Sequence, residues 1–169
     1  MSWLPSLTDN LSNGSLRQGR RLPDTDIHSL ENAALRLLGM REHSRQELRR
    51  KLRPRITDAG QLERLLDSLE ERGAQSDRRF TREYIRFRSN RGYGPVRIRM
   101  ELTERGIDAS LIEECLDPDE EQWDQVLLAA AKCKFGEQPS QGFREWAKRA
   151  RFLEYRGFAH VHIRRLLPE

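Results

Sequence analysis

Cysteine, lysine and long apolar runs are all scarce in this chain of 169 residues. Cys115 and Cys133 stand apart and form no CxxC pair, so we expect neither a disulfide nor a zinc site. Both are predicted to lie on apolar faces of helices, as reduced thiols. No apolar run approaches the roughly 20 residues of a membrane span, and the N-terminus has no signal pattern. These absences favour a cytoplasmic protein without membrane contact.

The proportion of hydrophobic residues is low. Hydrophobic residues make up 36% of the chain and charged residues 34%, which favours an elongated or repeat-built structure over one thick core. The net charge is +4, and all but four of the 31 basic residues are arginine. Arginine presents a planar fork of donors to phosphates or carboxylates, so the bias is typical of a surface for nucleic acid or an acidic protein. Genomic base composition is the alternative explanation.

Apolar spacing predicts helices from Asp26 onward, whereas residues 1–25 lack periodicity and are predicted to be a flexible arm. Helix starts are marked by capping boxes, in which a serine is followed three residues later by a glutamate. The boxes are Ser44 with Glu47 and Ser110 with Glu113. The stretch "DPDE" that begins at Asp117 marks a further start.

The helices recur with a period of about 50 residues. Matching positions hold Leu52, Leu102 and Leu153; Arg55, Arg105 and Arg156; Gly106 and Gly157; Arg41 and Arg91; Ser44 and Gly94. A three-helix unit of this size buries its apolar face only by stacking. The sequence therefore predicts an all-α fold of three tandem three-helix repeats, 26–74, 75–116 and 117–169, in an elongated, solenoid-like array.

No catalytic or metal-binding constellation is present. The stretch "GYGPVR" lacks the Lys-Ser/Thr of a phosphate loop and follows a helix instead of a strand, so its glycines are interpreted as a helix stop and a link. The histidines are scattered, and His160 and His162 would face apart on a helix. Helix capping accounts for the serines. We expect no enzyme activity, no metal and no cofactor.

The charges are segregated along the chain. Arg41 to Arg55 holds seven cationic residues against two acidic ones, and Arg78 to Arg99 holds eight against one. Asp108 to Glu121 holds seven acidic residues and no basic ones. This pattern favours a cationic stripe against nucleic acid or a nucleoprotein, with a merely solvated surface as the alternative. Helical spacing assigns Phe80, Tyr84 and Phe87 to the core, and Tyr93 in the link is predicted to be exposed.

Several motifs in order resemble a known family. The segment "YIRFRSNRGYGPVRIRMELTERGI" is similar to the most characteristic segment of the RecX family, whose members regulate the RecA recombinase. The segments "ALRLLGMREHSRQELRRKL" and "KRARFLEYRGF" through "IRRLL" resemble its opening and closing units. The likeness spans roughly Ile27 to Leu167. One departure is "SDRRFT", which retains Asp77 and Phe80 but lacks the family's first aspartate and its alanine.

The resemblance implies a modular protein whose three-helix repeats form an elongated, curved array, right-handed or solenoid-like. It further implies that the protein lodges in the groove of the RecA–DNA filament and limits filament extension, strand exchange, ATP hydrolysis and coprotease activity. We expect a monomer that contacts RecA and, weakly, DNA. A stand-alone nucleic-acid-binding protein is the second hypothesis and a metal-dependent hydrolase the third. The candidate contact residues are Arg41, Arg45, Arg49, Arg86, Arg88, Arg91, Arg97, Lys132, Lys134, Arg144, Lys148 and Arg151.

Among these candidates, Arg88 and Arg91 rank first, because they flank the link and match the family's arginine-rich segment. The alternative for both is a salt bridge to an acidic helix of a neighbouring repeat.

Overall fold

The computed structural model describes residues 27–116 and 120–167, and these form α-helices joined by short links, with no strand among them. The all-α prediction is therefore confirmed. The predicted arm at residues 1–25 and the helix start at Asp117 lie outside the described residues. None of the described helices combines the length and the apolar character needed to cross a membrane. The helices are α1 Ile27–Met40, α2 Arg45–Leu52, α3 Ala59–Glu71, α4 Asp77–Ser89, α5 Pro95–Glu104, α6 Ala109–Cys115, α7 Glu120–Phe135, α8 Phe143–Arg156 and α9 His160–Leu166.

The helix boundaries follow local chemistry. Ser44 caps α2, and its hydroxyl oxygen accepts a hydrogen bond from the backbone N–H of Glu47 at 3.0 Å. Pro54 lies in a short 3-10 turn after α2, where its ring prevents the helix from continuing. The predicted capping box at Ser110 is wrong. Asp108 caps α6 instead, because its carboxylate accepts from the backbone N–H of Ser110 at 2.9 Å.

Each unit of three helices has a core of its own. The matched leucines Leu52, Leu102 and Leu153 are fully buried and belong to three different apolar clusters. Phe80 is also buried and anchors the second cluster, as its place in the helical stripe predicts. The modest apolar content is thus divided among three small cores, so the prediction that a unit buries its apolar face only by stacking is wrong.

Several side chains at apolar positions of the helices are on the surface, among them Phe143 in the stretch "FREWAKRARFLEYRG" and Val161 in "FAHVHIRRLL", both of which helical spacing places inside. Phe87, Phe143 and Val161 are exposed, and so is Cys133, whereas Cys115 is half-buried. Phe87 lies in the last turn of α4, and Phe143 and Val161 lie in the first turns of α8 and α9. Helix ends project beyond the neighbouring helices, so periodicity overestimates burial there.

The middle helices of the second and third units meet end to end. The backbone N–H of Gly94, the N-cap of α5, donates to the carbonyl of Arg156 at 2.9 Å, and the N–H of Val96 donates to the carbonyl of Gly157 at 3.1 Å. Helix ends leave N–H and C=O groups without partners inside the helix. Here the start of α5 uses the end of α8 to satisfy them, and the two helix dipoles align head to tail.

The same joint occurs between the first and second units. The Ser44 hydroxyl, at the N-cap of α2, donates to the carbonyl of Arg105 at the end of α5 at 2.8 Å. The side chain of Gln46 packs on Gly106, where a Cβ atom would clash with it. The end of α8 therefore meets the start of α5, and the end of α5 meets the start of α2.

The second and third units also share apolar contacts. Trp123 of α7 is buried in the cluster of the second unit, and Val126 packs against the clusters of both units. These contacts bury side chains from both units at one boundary, so the hydrophobic effect stabilises this joint in addition to its hydrogen bonds.

The boundary between the first and second units is polar by comparison. The Asp77 carboxylate at the start of α4 accepts from the backbone N–H of Arg45 at 2.8 Å. Arg79 of α4 pairs with Glu42 in the first link at 2.8 Å. The cluster of the first unit contains buried residues from that unit alone. Hydrogen bonds and ion pairs, rather than shared apolar burial, hold this joint.

Candidate functional site

The arginines predicted as contacts in the first unit are paired within that unit. Arg45 reaches three carboxylates on α3, Glu63, Asp67 and Glu70, at 3.0, 2.6 and 3.1 Å. Arg49 pairs with Glu63 at 2.6 Å. The hydrogen bond from Arg49, with the one from Arg45, lowers the pKa of Glu63 to about 2, so its carboxylate stays ionised. These two arginines join α2 to α3.

Arg41 is likewise engaged, because it donates to the buried carboxylate of Glu47 at 2.9 Å. Glu47 also faces Arg105 of the second unit at 3.5 Å. The link that follows Arg41 contains His43, which is buried. The Nε2 atom of His43 lies 2.9 Å from the Lys51 ammonium, so it accepts, while Nδ1 donates to the Arg41 carbonyl at 3.0 Å. Burial lowers the pKa of His43, which fits this neutral form.

Arg88 belongs to a buried cluster around Glu101. Its side chain is 13% exposed, and its guanidinium lies 2.5 Å from the Glu101 carboxylate. Arg97 reaches the same carboxylate at 3.1 Å, and the Tyr84 hydroxyl donates to it at 2.8 Å. Burial raises the pKa of Glu101, but the hydrogen bonds from Tyr84, Arg97 and Arg88 outweigh it and hold the pKa below its ordinary value. Arg88 thus pairs within its own unit.

The prediction of an exposed Tyr93 is wrong. The ring is half-buried, and three guanidinium groups surround it. The Cζ atom of Arg88 is 3.5 Å from the ring centroid, that of Arg156 is 4.7 Å away and that of Arg97 is 5.3 Å away. Cation–π attraction therefore fixes the link against the third unit. Sequence spacing assigned no partner to this tyrosine because Arg156 comes from another repeat.

Two further candidates of the second unit remain on the surface. Arg86 is exposed and pairs with Glu83 one turn earlier at 2.6 Å. Arg91 lies with its Cζ atom 4.2 Å from the Phe87 ring, and its carbonyl accepts a hydrogen bond from Arg156 at 2.6 Å. The backbone of Arg91 is thus part of the joint, while its guanidinium stays accessible.

The third unit holds the candidates that are least neutralised. Arg144, Lys148 and Arg151 are exposed on α8 at spacings of four and three residues, so they share one face. None of the three forms an ion pair within the described parts of the chain. Lys134 is exposed and likewise forms no ion pair with a described residue, whereas Lys132 pairs with Glu137. The face of α8 therefore carries three positive charges that form no direct ion pair with a described carboxylate; Glu145, which pairs with Arg149, also interacts electrostatically with Lys148.

Two buried charged residues, Glu101 and Arg149, were not identified from the sequence. Glu101 went unnoticed, although a carboxylate between Ile98 and Leu102 in an apolar stripe is a signal for a buried partner. Arg149 also went unnoticed; it is buried, pairs with Glu145 at 2.6 Å and donates to the Gln138 carbonyl at 2.8 Å. Both residues have structural roles.

Side chains that could bind a metal ion are dispersed over the described residues. Within them, no group of three or more histidine, cysteine, aspartate or glutamate side chains is arranged to hold a metal ion. A groove of about 400 Å³ between α1 and α3 has Glu31 and Arg72 in its wall, and these two pair with each other at 2.7 Å. What the geometry provides is a cationic helix face, which suits binding to an anionic surface.

Comparison with known proteins agrees with this architecture. Three family models match in order: the first three-helix domain of RecX at residues 32–69, the second at 76–116 and the third at 120–167. A regulatory protein RecX of Pseudomonas entomophila is 44% identical over 144 residues, which cover 85% of this chain and 92% of that protein. The regulatory protein RecX of Legionella pneumophila is 39% identical over 138 residues, covering 82% and 92%.

A solved structure shows the same fold. The crystal structure of RecX from Lactobacillus salivarius superposes with a TM-score of 0.71 at 22% identity, covering 83% of this chain and 93% of that one. The three matched domains coincide with the three helical units and their separate cores. On this evidence the chain belongs to the RecX family of regulatory proteins.

Proposed function

We propose that this protein is a non-catalytic modulator, mainly an inhibitor, of the RecA recombinase. It binds in the groove of the RecA–DNA filament and limits filament extension, strand exchange, ATP hydrolysis and coprotease activity. It acts in the cytoplasm, in DNA repair, homologous recombination and the SOS response. The observation that carries the proposal is the unpaired cationic face of α8, in a chain of a family of regulatory proteins.

The internal pairing changes the order of the candidate contacts. Arg45, Arg49, Arg88 and Arg97 stabilise the fold through ion pairs, so their loss would weaken any activity indirectly. We rank Arg144, Lys148 and Arg151 first. Lys134 and Arg91 follow, because their charged groups are accessible. Arg41, Arg86 and Lys132 come last, since each already has a carboxylate partner.

The joints between the middle helices give a reason for groove binding. The helices α8, α5 and α2 contain 14, 10 and 8 residues. At about 1.5 Å per residue they extend over roughly 48 Å when placed end to end. A rod of this length contacts several protomers of a filament at once, and such multivalency raises avidity without a strong contact at any single protomer.

The test is RecA-catalysed ATP hydrolysis on single-stranded DNA with the triple variant Arg144→Glu, Lys148→Glu, Arg151→Glu. We expect its half-inhibitory concentration to rise at least about tenfold, which corresponds to about 1.4 kcal/mol. The matched control is Arg36→Glu, Arg55→Glu, Arg82→Glu, which changes the net charge equally at exposed arginines without ion pairs in the described chain. We expect it to inhibit like the wild type.

Either of two results contradicts this proposal. Equal inhibition by the folded triple variant and the wild type removes the face of α8 from the interface. Absence of inhibition by the wild-type protein, over a full range of concentrations, contradicts the function itself.

A stand-alone nucleic-acid-binding protein is the second candidate, because the same three cations suit a phosphate backbone. Titration of labelled single-stranded DNA without RecA, at several salt concentrations, separates the two. Three phosphate contacts predict a slope of about −2 for the logarithm of the affinity against the logarithm of the salt concentration. Tight binding with such a slope favours this candidate, and weak binding together with strong RecA inhibition favours the regulator.

A further inference from the structure

Two apolar side chains on the central helix have no role in the core. Val96 is 56% exposed and Met100 is 53% exposed. They lie four residues apart and therefore share one face of α5, while Ile98 and Leu102 are fully buried on another face. These two side chains form a small apolar surface beside a complete core, and that surface is available to a partner.

The helix that carries this apolar pair begins at the end of α8, the helix with the cationic face. Tyr155 lies one turn beyond Arg151 on α8 and is 70% exposed. The Arg97 guanidinium donates to the Tyr155 carbonyl at 3.1 Å, and its Cζ atom is 5.0 Å from the Tyr155 ring. Arg97 in turn lies one turn before Met100 on α5. The joint between the two helices thus connects the charged surface to the apolar one.

We call this surface the middle-helix face. It has a basic part on α8 and an apolar part on α5, with an exposed aromatic ring between them. It consists of Arg144, Lys148, Arg151, Tyr155, Val96 and Met100.

We infer that the middle-helix face binds a folded protein surface that presents acidic groups beside an apolar recess. The inference rests on the proposed function and names which component of the RecA–DNA filament this face contacts: the protein and not the DNA. A phosphate backbone suits the three cations but offers no apolar area against which Val96 and Met100 gain by burial. Apolar and aromatic groups beside arginines are the composition from which protein–protein interfaces are built.

The variant that tests the apolar part is Val96→Ser, Met100→Ser. Both side chains are half-exposed, so the fold tolerates the change, and far-ultraviolet circular dichroism with urea unfolding checks this. The matched control is Leu35→Ser, Val161→Ser, which removes two exposed apolar side chains from α1 and α9. We expect the affinity for the RecA filament on single-stranded DNA to fall at least tenfold in the first variant. In the control it should stay within twofold.

Binding to bare single-stranded DNA gives the opposite contrast. The serine variant should bind DNA like the wild type, because a phosphate backbone gains nothing from contact with Val96 and Met100. Equal affinity of the serine variant and the wild type for the filament overturns the inference and leaves the proposed function standing. A wild-type protein that does not bind the filament contradicts the proposed function instead.

Photo-crosslinking provides a second measurement that does not depend on a loss of binding. A benzophenone amino acid placed at position 100 should crosslink to RecA protein in the filament complex, and one placed at position 161 should not. Crosslinking of position 100 to the DNA strand overturns the inference in favour of nucleic acid. Crosslinking from both positions alike also overturns it, because the contact is then not specific to this face.

Discussion

The joint between α5 and α8 makes a quantitative prediction for Gly94→Ala. A Cβ atom at Gly94 would lie 2.5 Å from the carbonyl oxygen of Gly157, 2.6 Å from its carbonyl carbon and 2.8 Å from the Phe158 ring. Ordinary contacts of carbon with such atoms begin at about 3.3 Å. The backbone angle φ of Gly94 is −89°, which alanine adopts without strain. The substitution therefore tests mainly the close approach of two helices; the poorer N-cap preference of alanine and its stiffer unfolded chain make smaller contributions of opposite sign.

The clash must separate the two helix ends, because the nearest atoms belong to the backbone. The hydrogen bonds of 2.9 Å from Gly94 to Arg156 and 3.1 Å from Val96 to Gly157 are then stretched. Each is worth about 0.5–1.5 kcal/mol, and overpacking itself typically costs about 1–3 kcal/mol. Since the two costs overlap, we expect the free energy of unfolding to fall by about 2–4 kcal/mol.

Urea unfolding followed by circular dichroism at 222 nm and by tryptophan fluorescence measures this change. The matched control is Gly39→Ala in α1, where no atom lies within 4 Å of the new Cβ. Alanine is the better helix former there, so the control should gain up to about 1 kcal/mol. If Gly94→Ala stays within about 0.5 kcal/mol of the wild type, the helix ends do not pack as described.

Two further predictions concern single side chains. Ser44→Ala should lower the free energy of unfolding in urea by about 2 kcal/mol, because the buried hydroxyl both caps α2 and donates to the Arg105 carbonyl. The control Ser110→Ala should lower it by less than about 0.5 kcal/mol. Equal losses in the two variants contradict the assignment of the caps. Burial and the hydrogen bond to Glu101 raise the pKa of Tyr84 to about 12, from 10.0 for a free tyrosine. Its contribution to stability is therefore complete below pH 10.0 and is lost as the pH rises toward about 12. Absorbance at 295 nm should show one tyrosine that ionises late, and a late phase that persists in Tyr84→Phe refutes this account.

Repetition in the sequence identified the residues of the joints without revealing their contacts. Ser44 and Gly94 share a repeat position, as do Arg105 and Arg156. In the structure each member of the first pair contacts a member of the second pair that lies in the next unit. Ser44 contacts Arg105, and Gly94 contacts Arg156. Periodicity locates equivalent positions within units. It says nothing of which position in one unit faces which position in the next.

The helical stripes predicted the core more reliably than the binding surface. Leu52, Leu102 and Leu153 are buried because burial depends on a residue's own helix face. The availability of an arginine depends on the opposite helix instead. Arg45 is engaged by carboxylates 18 to 25 residues away on α3, and no local pattern predicts that pairing.

The arginine content takes on a different meaning once these contacts are known. In a chain with little apolar material, guanidinium groups serve as packing groups that join helices by forked hydrogen bonds and by stacking on rings. Arg88 does both, since it pairs with Glu101 and covers Tyr93. Local charge excess is therefore a poor guide to the binding surface. The segment from Arg78 to Arg99 is the most basic, yet most of its arginines form ion pairs with carboxylates of the same chain. Arg144, Lys148 and Arg151 on α8 stand out for the opposite reason, because no described carboxylate forms an ion pair with them.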